Sequence, residues 1–409
     1  MRIQLWSYNY EPEPSGIAPL SGAWARAMRY RGHEILVVAA HPHYPKPIWG
    51  SRAKPYRVRH GNIPVLRLPI WIGRDTAAER LRQELSYTAS LAALAPLLPT
   101  PDAVVAVTPS FPGLLPTVVN ARLRGVPWIM WLQDILPEGA ATTGLLPPGP
   151  ILEAAKWFEL AAYRLADKVV VISDAFERNL HAKGVPSEKM VRIYNPSPVP
   201  VGAYRPSERP EGGPRLLVMG NIGHTQGLAE VVRTVESSSV LDRTGAELRV
   251  AGHGVAAHEV ASAITSDRVK MFGLLLSQAM EDELKGTTVG VVTQRPDVAE
   301  FNLPSKLMNY MAHALPVIAV VNPGSETARI VKETDAGWVV DSSHLHRELP
   351  QTIEQVLADP RELIRRGKAA HAAAVRHFAP ERIAEQYEEV LASIDRSADE
   401  PGQPLGFRR

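Results

Sequence analysis

The chain has 409 residues, 45% hydrophobic and 22% charged, which is typical of a globular protein and excludes disordered and collagen-like chains. It contains no cysteine, so disulfides, thiol catalysis, thiolate-bound zinc and iron–sulfur clusters are excluded as well. The net charge of +2 is unevenly spread, because residues 1–100 carry 13 Lys and Arg against six Asp and Glu. This basic end favours an anionic partner, such as a phosphate group or an acidic membrane surface.

The length exceeds what one hydrophobic core usually supports, so two domains are expected. The first residues lack a basic region followed by an apolar run, and no apolar run is long enough to span a bilayer. We therefore expect a cytoplasmic protein without a signal peptide, whose contact with a membrane, if it makes one, is peripheral and on the inner face.

Short apolar strands alternate with helical segments through the first 195 residues. Strands are predicted at residues 2–7, 34–40, 65–68, 102–108, 128–133 and 168–173. Helices are predicted at 16–31, 77–95, 113–124, 151–166 and 174–183. Nearly continuous Val and Ile runs separated by helices indicate a parallel sheet covered on both faces. An α+β fold with antiparallel strands is the alternative.

The alternation stops between Asn195 and Pro214, a segment with six prolines and three glycines, and then restarts. Strands follow at 215–219, 247–251, 269–272, 288–292 and 316–321. Helices follow at 226–237, 255–264, 277–285, 305–313, 326–333, 345–358, 361–377 and 380–395. We predict an α/β protein with two doubly wound, Rossmann-like domains facing a ligand cleft. The boundaries are 1–195 and 215–378 with a linker at 196–214, a helix at 379–395 that packs back on the first domain, and a flexible tail at 396–409.

Two loops that contain glycine follow strands of the second half, where open parallel sheets bind their ligands. The first, from Gly220 to Gly227, lets the backbone approach a ligand before a helix whose free N–H groups suit an anion; an ordinary tight turn is the alternative. The second, Gly252-His253-Gly254, resembles part of a dinucleotide fingerprint. No acidic residue ends the next strand to hold a ribose, so a nicotinamide site is weakly supported.

The segment Pro304-Ser305-Lys306 carries the strongest chemical signal. Pro is tolerated in the first turn of a helix. A Lys at the positive, amino-terminal end of the helix dipole is unfavourable unless an anion binds beside it. Asn309 follows on the same helical face. A diphosphate is therefore expected at this helix start, and a solvated Lys is the bland alternative.

Acidic residues of the first half follow apolar strands and are candidate acids or bases. They are Glu13, Asp134 and Glu138; Asp134 could instead cap the loop that follows it. The chain has no Asp-x-Asp pair, no His-Glu-x-x-His motif, no Walker phosphate loop and no Gly-x-Ser-x-Gly elbow. Metal-dependent transferases, ATPases and serine hydrolases lose support.

With these segments in order, the chain resembles family 4 glycosyltransferases of the GT-B fold, especially the colanic-acid and N-acetylfucosamine-transferase type of surface-polysaccharide biosynthesis. The likeness covers nearly the whole chain. The matching stretches are Tyr8–Gly16, Arg31–Glu34, His41–Pro45, Gln133–Pro137, Val170–Phe176, Gly220–Gly227 and Pro304–Lys306.

The resemblance implies that the second domain holds a nucleoside-diphosphate sugar, with a UDP-sugar favoured, and that the first holds a glycan or polyprenyl-diphosphate-linked acceptor. It implies a retaining reaction with no metal and no cofactor, and no nucleic-acid partner. Phe301 and Asn309 stand where many members carry the two Glu residues of the E-x7-E motif. Catalytic roles fall on Asp134, Lys306 and Glu13. The candidate donor-binding residues are Gly16, Gly220, Asn221, Gly223, Gln226, Gly252, Phe272, Asn302, Ser305, Lys306 and Asn309.

The basic segment 46–82 fits contact with anionic lipid, although a solvated charged face is equally compatible with it. Three other functions stay open. They are a GT-B-fold nucleotide-sugar 2-epimerase, a non-catalytic two-domain sugar-binding protein and, last, an NAD-dependent dehydrogenase.

Overall fold

The computed structural model describes residues 1–14, 16–44, 49–73, 76–108, 110, 112–135, 149–202, 212–275, 277–297 and 303–395. The predicted flexible tail at 396–409 and part of the predicted linker lie outside these residues. None of the described helices is long and apolar enough to cross a bilayer.

The first sheet has eight strands in the order β3-β4-β2-β1-β5-β6-β7-β8. Its strands are β1 (Arg2–Ser7), β2 (Glu34–Ala40), β3 (Tyr56–His60), β4 (Ile63–Leu68), β5 (Ala103–Val107), β6 (Trp128–Trp131), β7 (Lys168–Val171) and β8 (Met190–Arg192). All neighbours pair in parallel except β3 and β4, which form an antiparallel hairpin. The predicted parallel sheet is confirmed, and the antiparallel alternative holds only at this hairpin.

Helices connect these strands as expected of a doubly wound fold. They are α1 (Ile17–Tyr30), α2 (Ala77–Leu94), α3 (Leu114–Arg124), α4 (Pro150–Leu165) and α5 (Asp174–Ala182). Helix α2 begins with a capping box, in which the Thr76 side chain accepts from the Glu79 amide and the Glu79 carboxylate accepts from the Thr76 amide.

The second sheet has six parallel strands in the order β11-β10-β9-β12-β13-β14. Its strands are β9 (Arg215–Asn221), β10 (Glu247–His253), β11 (Val269–Phe272), β12 (Val289–Thr293), β13 (Val317–Val321) and β14 (Gly337–Asp341). Its helices are α6 (Leu228–Ser238), α7 (Val240–Thr244), α8 (Ala257–Ser262), α9 (Ser277–Lys285), α10 (Ser305–Ala312), α11 (Glu326–Glu333), α12 (Leu345–Ala358) and α13 (Pro360–His377).

Sequence reasoning missed β3, β8 and β14. Strand β3 alternates half-buried and exposed residues, because it lies at the edge of its sheet, and so it lacks a Val and Ile run. Strand β8 has only three residues, and β14 is the opposite edge of the second sheet. Three of the four edge strands of the two sheets thus lack the continuous apolar run that predicted the central strands, and only the edge strand β11 was predicted.

The last helix, α14 (Pro380–Ile394), packs against α1 of the first domain. Tyr387 contacts Trp24 and Trp131 with ring centroids 5.3 and 5.6 Å apart. All three rings are almost fully buried, and aromatic side chains dominate the burial energy of such contacts. At the rim, Arg31 pairs with Glu388 at 2.6 Å. The carboxyl-terminal helix is thereby part of the core of the first domain.

Candidate active site

A loop with two left-handed glycines follows β9 at the carboxyl edge of the second sheet. Gly220 has φ +99° and Gly227 has φ +60°, conformations that favour glycine. Gly223 begins a short 3-10 turn between them, and Asn221 is exposed. A Cβ on Gly227 would meet Cγ of Arg295 at 2.9 Å, so the loop lies against the residues that follow β12. The predicted glycine loop therefore exposes backbone at the point where β9 and β12 end.

Gly252 has a structural explanation that the sequence did not reveal. It pairs with Gly220 in the parallel ladder of β10 and β9, and a Cβ on Gly252 would lie 1.9 Å from the Gly220 carbonyl oxygen. Any side chain there would push the two strands apart. Its contacts explain Gly252 as a packing residue beneath the loop rather than as a dinucleotide fingerprint.

Helix α10 is fixed to the sheet by Tyr310. The Tyr310 hydroxyl donates to the Leu217 carbonyl oxygen at 2.8 Å and accepts from the Met219 amide at 3.0 Å. The Tyr310 ring lies where a Cβ on Gly290 would be, 2.4 Å from its nearest atoms. Lys306 precedes Tyr310 by four residues and so lies on the same helical face, one turn nearer the carboxyl edge of the sheet.

Lys306 is buried, with 8% of its surface exposed, and its ammonium has no hydrogen-bond partner among the described residues. Burial lowers the pKa of Lys306 from 10.5 to about 8. None of the residues in the first turn of α10 is acidic, and no described side chain caps its amide groups. A desolvated cation therefore lies beside helix N–H groups that no described side chain caps. Both features favour the binding of an anion at this helix start.

Other polar atoms at this edge are also buried and unpaired among the described residues. An unpaired buried polar atom costs about 1–3 kcal/mol, so their concentration at one edge indicates a place for a ligand. They are Gln226 Oε1, Thr293 Oγ1, Gln294 Oε1 and Asn309 Oδ1. Sequence reasoning proposed Gln226 and Asn309 but missed Thr293 and Gln294. Their position directly after a strand was the signal that would have found them.

The other residues predicted to bind the donor lie at different places in the structure. Gly16 has φ +67° and begins α1 at the carboxyl edge of the first sheet. Ser305 is exposed on the first turn of α10. Phe272 ends the edge strand β11 and lies beneath the Arg249 guanidinium, 4.6 Å from its ring centroid. Asn302 lies outside the described residues, as does Phe301.

In the first domain, Glu13 is buried and fully engaged. Its carboxylate accepts from the His43 amide at 2.7 Å, the Tyr44 amide at 3.0 Å and Asn9 Nδ2 at 2.8 Å. These bonds hold the loop after β2 against the loop after β1. These contacts are those of a positioning residue, and the catalytic role proposed for Glu13 stays a prediction.

Asp134 lies half-buried just beyond β6, where the chain leaves the carboxyl edge of the sheet. The preceding Gln133 is fixed by a buried pair of amide–amide bonds to Asn195 at 2.8 and 2.9 Å. This pair sets the direction of the strand exit and with it the position of Asp134. Glu138 lies outside the described residues. Among those residues, no group of three His, Asp or Glu side chains could hold a metal ion.

Charged side chains join the two domains beside the cleft. Arg329 of α11 lies 3.3 Å from the Asp174 carboxylate of α5 and donates to the Tyr194 hydroxyl at 2.8 Å. Tyr194 in turn donates to Glu326 at 3.1 Å, and Arg192 pairs with Asp174 at 2.8 Å. Sequence reasoning missed this contact, because an acidic residue in the first turn of a helix is already explained by the helix dipole.

The chain thus has two parallel-sheet domains, and the buried Lys306 lies at the carboxyl edge of the second sheet with other polar atoms that have no partner among the described residues. The glycosyl transferase 4-like domain model matches residues 15–196, and the glycosyl transferases group 1 model matches residues 213–359. The chain therefore belongs to the family 4-type glycosyltransferases, as the sequence motifs indicated, and it is a glycosyltransferase enzyme. This assignment sets aside the dehydrogenase and the non-catalytic binding protein.

The relatives agree with this family. WcaI of Escherichia coli K12, named as a glycosyl transferase of colanic acid biosynthesis, is 24% identical over 387 residues, covering 89% of this chain and 92% of WcaI. WbjE of Pseudomonas aeruginosa, named as a glycosyltransferase, is 26% identical over 226 residues, covering 52% of this chain and 56% of WbjE.

Solved structures show the same fold over nearly the whole chain. Anabaena HepE in complex with UDP and glucose superposes with a TM-score of 0.67 at 17% identity, covering 96% of this chain and all of HepE. Sucrose-phosphate synthase of Thermosynechococcus elongatus gives a TM-score of 0.71 at 15% identity, covering 97% of this chain and 100% of the synthase. The predicted GT-B architecture is confirmed.

Proposed function

We propose that this enzyme transfers a sugar from a UDP-sugar to a glycan or lipid-linked acceptor in polysaccharide biosynthesis, with retention of configuration and without a metal ion. The unpaired Lys306 ammonium at the start of α10 is the observation that carries the proposal. UDP bound to the structurally similar HepE and the naming of WcaI for colanic acid biosynthesis support the donor and the pathway.

The chemistry asks for a stabiliser of negative charge. As the glycosidic bond to the diphosphate breaks, charge accumulates on the leaving phosphate oxygens, and preorganised cations and N–H groups lower the barrier most there. Lys306 is held for this role by the Tyr310 anchor one turn further along α10. Its charge has no partner among the described residues, and a diphosphate would supply one.

Asp134 is proposed as the residue that faces the reacting sugar or the acceptor hydroxyl from the first domain. It lies at the carboxyl edge of β6, where ligands of such sheets bind. A carboxylate in this place could accept the acceptor proton or steady the positive charge of the sugar ring in the transition state.

Two measurements test the donor site. A panel of UDP, GDP and TDP should raise the melting temperature selectively with UDP, and Lys306→Ala should abolish that shift and lower transfer of labelled sugar from UDP-sugars by about 100-fold or more, by analogy with lost oxyanion donors. Lys332→Ala removes an exposed lysine of α11 in the same domain and is the matched control. Wild-type turnover in Lys306→Ala would contradict the proposal. Conversion of donor without any acceptor would favour the 2-epimerase instead.

We further propose that the first domain lies on an anionic membrane through α2, α3 and α4. Exposed apolar side chains recur every fourth residue along α3, and Arg122 and Arg124 follow at its end. Apolar side chains bordered by Arg are the composition that binds an anionic bilayer surface. The exposed large apolar residues of these helices are Leu81, Leu85, Leu115, Val119, Leu123, Trp157 and Leu165.

This surface lies beside the basic segment 46–82 that the sequence indicated, and it overlaps that segment only in α2. Co-sedimentation with phosphatidylglycerol vesicles at moderate salt should show binding that falls about tenfold in Leu123→Ser. Ile364→Ser changes an equally apolar exposed residue of the second domain and should bind as the wild type does. Equal binding of both variants, or no binding by the wild type, would place the membrane contact elsewhere or remove it.

A further inference from the structure

A cavity of about 380 Å³ lies within the first domain, between the β3–β4 hairpin and the loops that follow β1 and β2. Two arginines, Arg52 and Arg67, and two histidines, His41 and His60, line it together with hydroxyl and aromatic groups. Its described lining residues include no acidic side chain. All of the lining residues belong to the first domain, so the cavity is separate from the glycine loop and helix α10 of the second domain.

Arg67 brings a buried positive charge to this cavity. Its side chain is 1% exposed and donates to the carbonyl oxygens of Ala40, at 3.0 Å, and Glu11, while its Nε has no partner among the described residues. The nearby carboxylates are engaged elsewhere, since Glu11 pairs with Arg26 and Glu13 accepts backbone amides. A buried guanidinium without an ion-pair partner is costly, so this site favours an anion.

Contacts within the cavity wall hold the groups that neighbour Arg67. Arg67 Nη2 lies 3.3 Å from His60 Nε2, so that nitrogen accepts and His60 carries its proton on Nδ1. Burial, and after it the charge of Arg67, lowers the pKa of His60 and keeps the ring neutral at pH 7. Arg52 stacks on the Tyr56 ring at 4.7 Å, and the Tyr56 hydroxyl lies 2.9 Å from His41 Nδ1. These contacts fix a second guanidinium at the mouth of the cavity.

We propose that this cavity binds a phosphate or diphosphate group. Guanidinium groups match phosphate oxygens by paired hydrogen bonds, and no lining carboxylate competes for them. The volume exceeds that of a bare phosphate, so it leaves room for part of an attached sugar or isoprenoid. This ligand class follows from the cavity alone; the further statement that the phosphate belongs to the acceptor rests on the proposed function.

The test uses inorganic pyrophosphate, measured by calorimetry on the full chain in a Lys306→Ala background, which weakens binding in the donor cleft. Adding Arg52→Gln should weaken pyrophosphate binding about tenfold, because one charge-assisted contact is lost. The matched control is Arg57→Gln, since Arg57 is exposed on β3 and does not line the cavity. It removes the same charge and should change the affinity less than about twofold.

Arg67→Met should abolish binding, with circular dichroism reporting whether it folds; Arg52→Gln decides the question if it does not. No pyrophosphate binding, or equal losses in the Arg52 and Arg57 variants, would overturn the proposal, because Arg67 would then only tie two loops together. Farnesyl diphosphate as a second probe identifies the source. Tighter binding than pyrophosphate would indicate a lipid-linked phosphate, and equal binding a free or sugar-linked one. UDP binding in the Lys306-intact protein reports separately on the donor site.

Discussion

Replacing Lys306 by Met should stabilise the ligand-free protein while removing its response to nucleotide. Methionine has a similar length and no charge, so it fills the same buried space without the desolvation cost. The pKa of Lys306 falls from 10.5 to about 8 on folding, and each pKa unit corresponds to about 1.36 kcal/mol. At pH 7 the buried charge therefore costs about 3 kcal/mol as an upper value, and the variant should unfold several degrees higher.

The stability difference between Lys306→Met and the wild type should depend on pH. Between pH 8 and 10.5 the unfolded chain keeps the Lys306 proton and the folded chain loses it, so wild-type stability rises with pH across this window. Below pH 8 both states carry the proton and the full cost remains. The advantage of Lys306→Met should therefore be largest near pH 7 and shrink towards pH 10.5.

Urea unfolding at pH 7 and pH 10, with and without UDP, measures both effects. Lys332→Met replaces an exposed lysine of the same domain and should change stability by less than about 0.5 kcal/mol at either pH. A Lys306→Met protein that is less stable than wild type at pH 7 would refute the reasoning. It would mean that the Lys306 ammonium already makes a stabilising contact in the protein without nucleotide.

Three further outcomes follow from the contacts. UDP affinity should fall about fivefold between pH 8 and pH 9 in binding titrations, because a diphosphate needs charged Lys306; a flat profile would argue against that contact. Gly252→Ala should lower the melting temperature by several degrees, since its Cβ would meet the Gly220 carbonyl at 1.9 Å; unchanged stability would contradict the packing role. Glu13→Gln should cost about 1–3 kcal/mol in urea unfolding, because its new NH2 group would replace Oε2 and face the Asn9 Nδ2 donor; a loss of turnover at full stability would favour a catalytic role.

The fold followed closely from local sequence patterns. Val and Ile runs at β5 and β13 are buried on both faces, and such strands announce a parallel sheet without any tertiary information. Edge strands β3 and β14 were missed for the converse reason, since β3 has no fully buried residue and β14 mixes buried with half-buried residues.

The sequence predicted the chemistry of the candidate donor site but not which side chains surround Lys306. Pro304-Ser305-Lys306 indicated an anion at a helix start because the dipole rule is local. Whether a carboxylate elsewhere in the chain neutralises Lys306 depends on which segments meet, and only the three-dimensional structure shows that none of the described residues does. The packing reason for Gly252 was hidden from the sequence in the same way, because the neighbour that excludes a side chain there is Gly220, 32 residues away.

The sequence by itself determined two doubly wound domains and their order, and it predicted a helix start on the second that suits a diphosphate. These properties depend on periodicity and on residues within one or two turns of each other. Only the tertiary structure shows that the Glu13 carboxylate accepts backbone amides of a distant loop, and that Arg67, one of many arginines in a basic stretch, is buried without an ion-pair partner among the described residues. Whether a charge is buried and paired depends on contacts between distant segments. Those contacts set the desolvation cost of an unpaired buried charge, and a bound anion would reduce that cost.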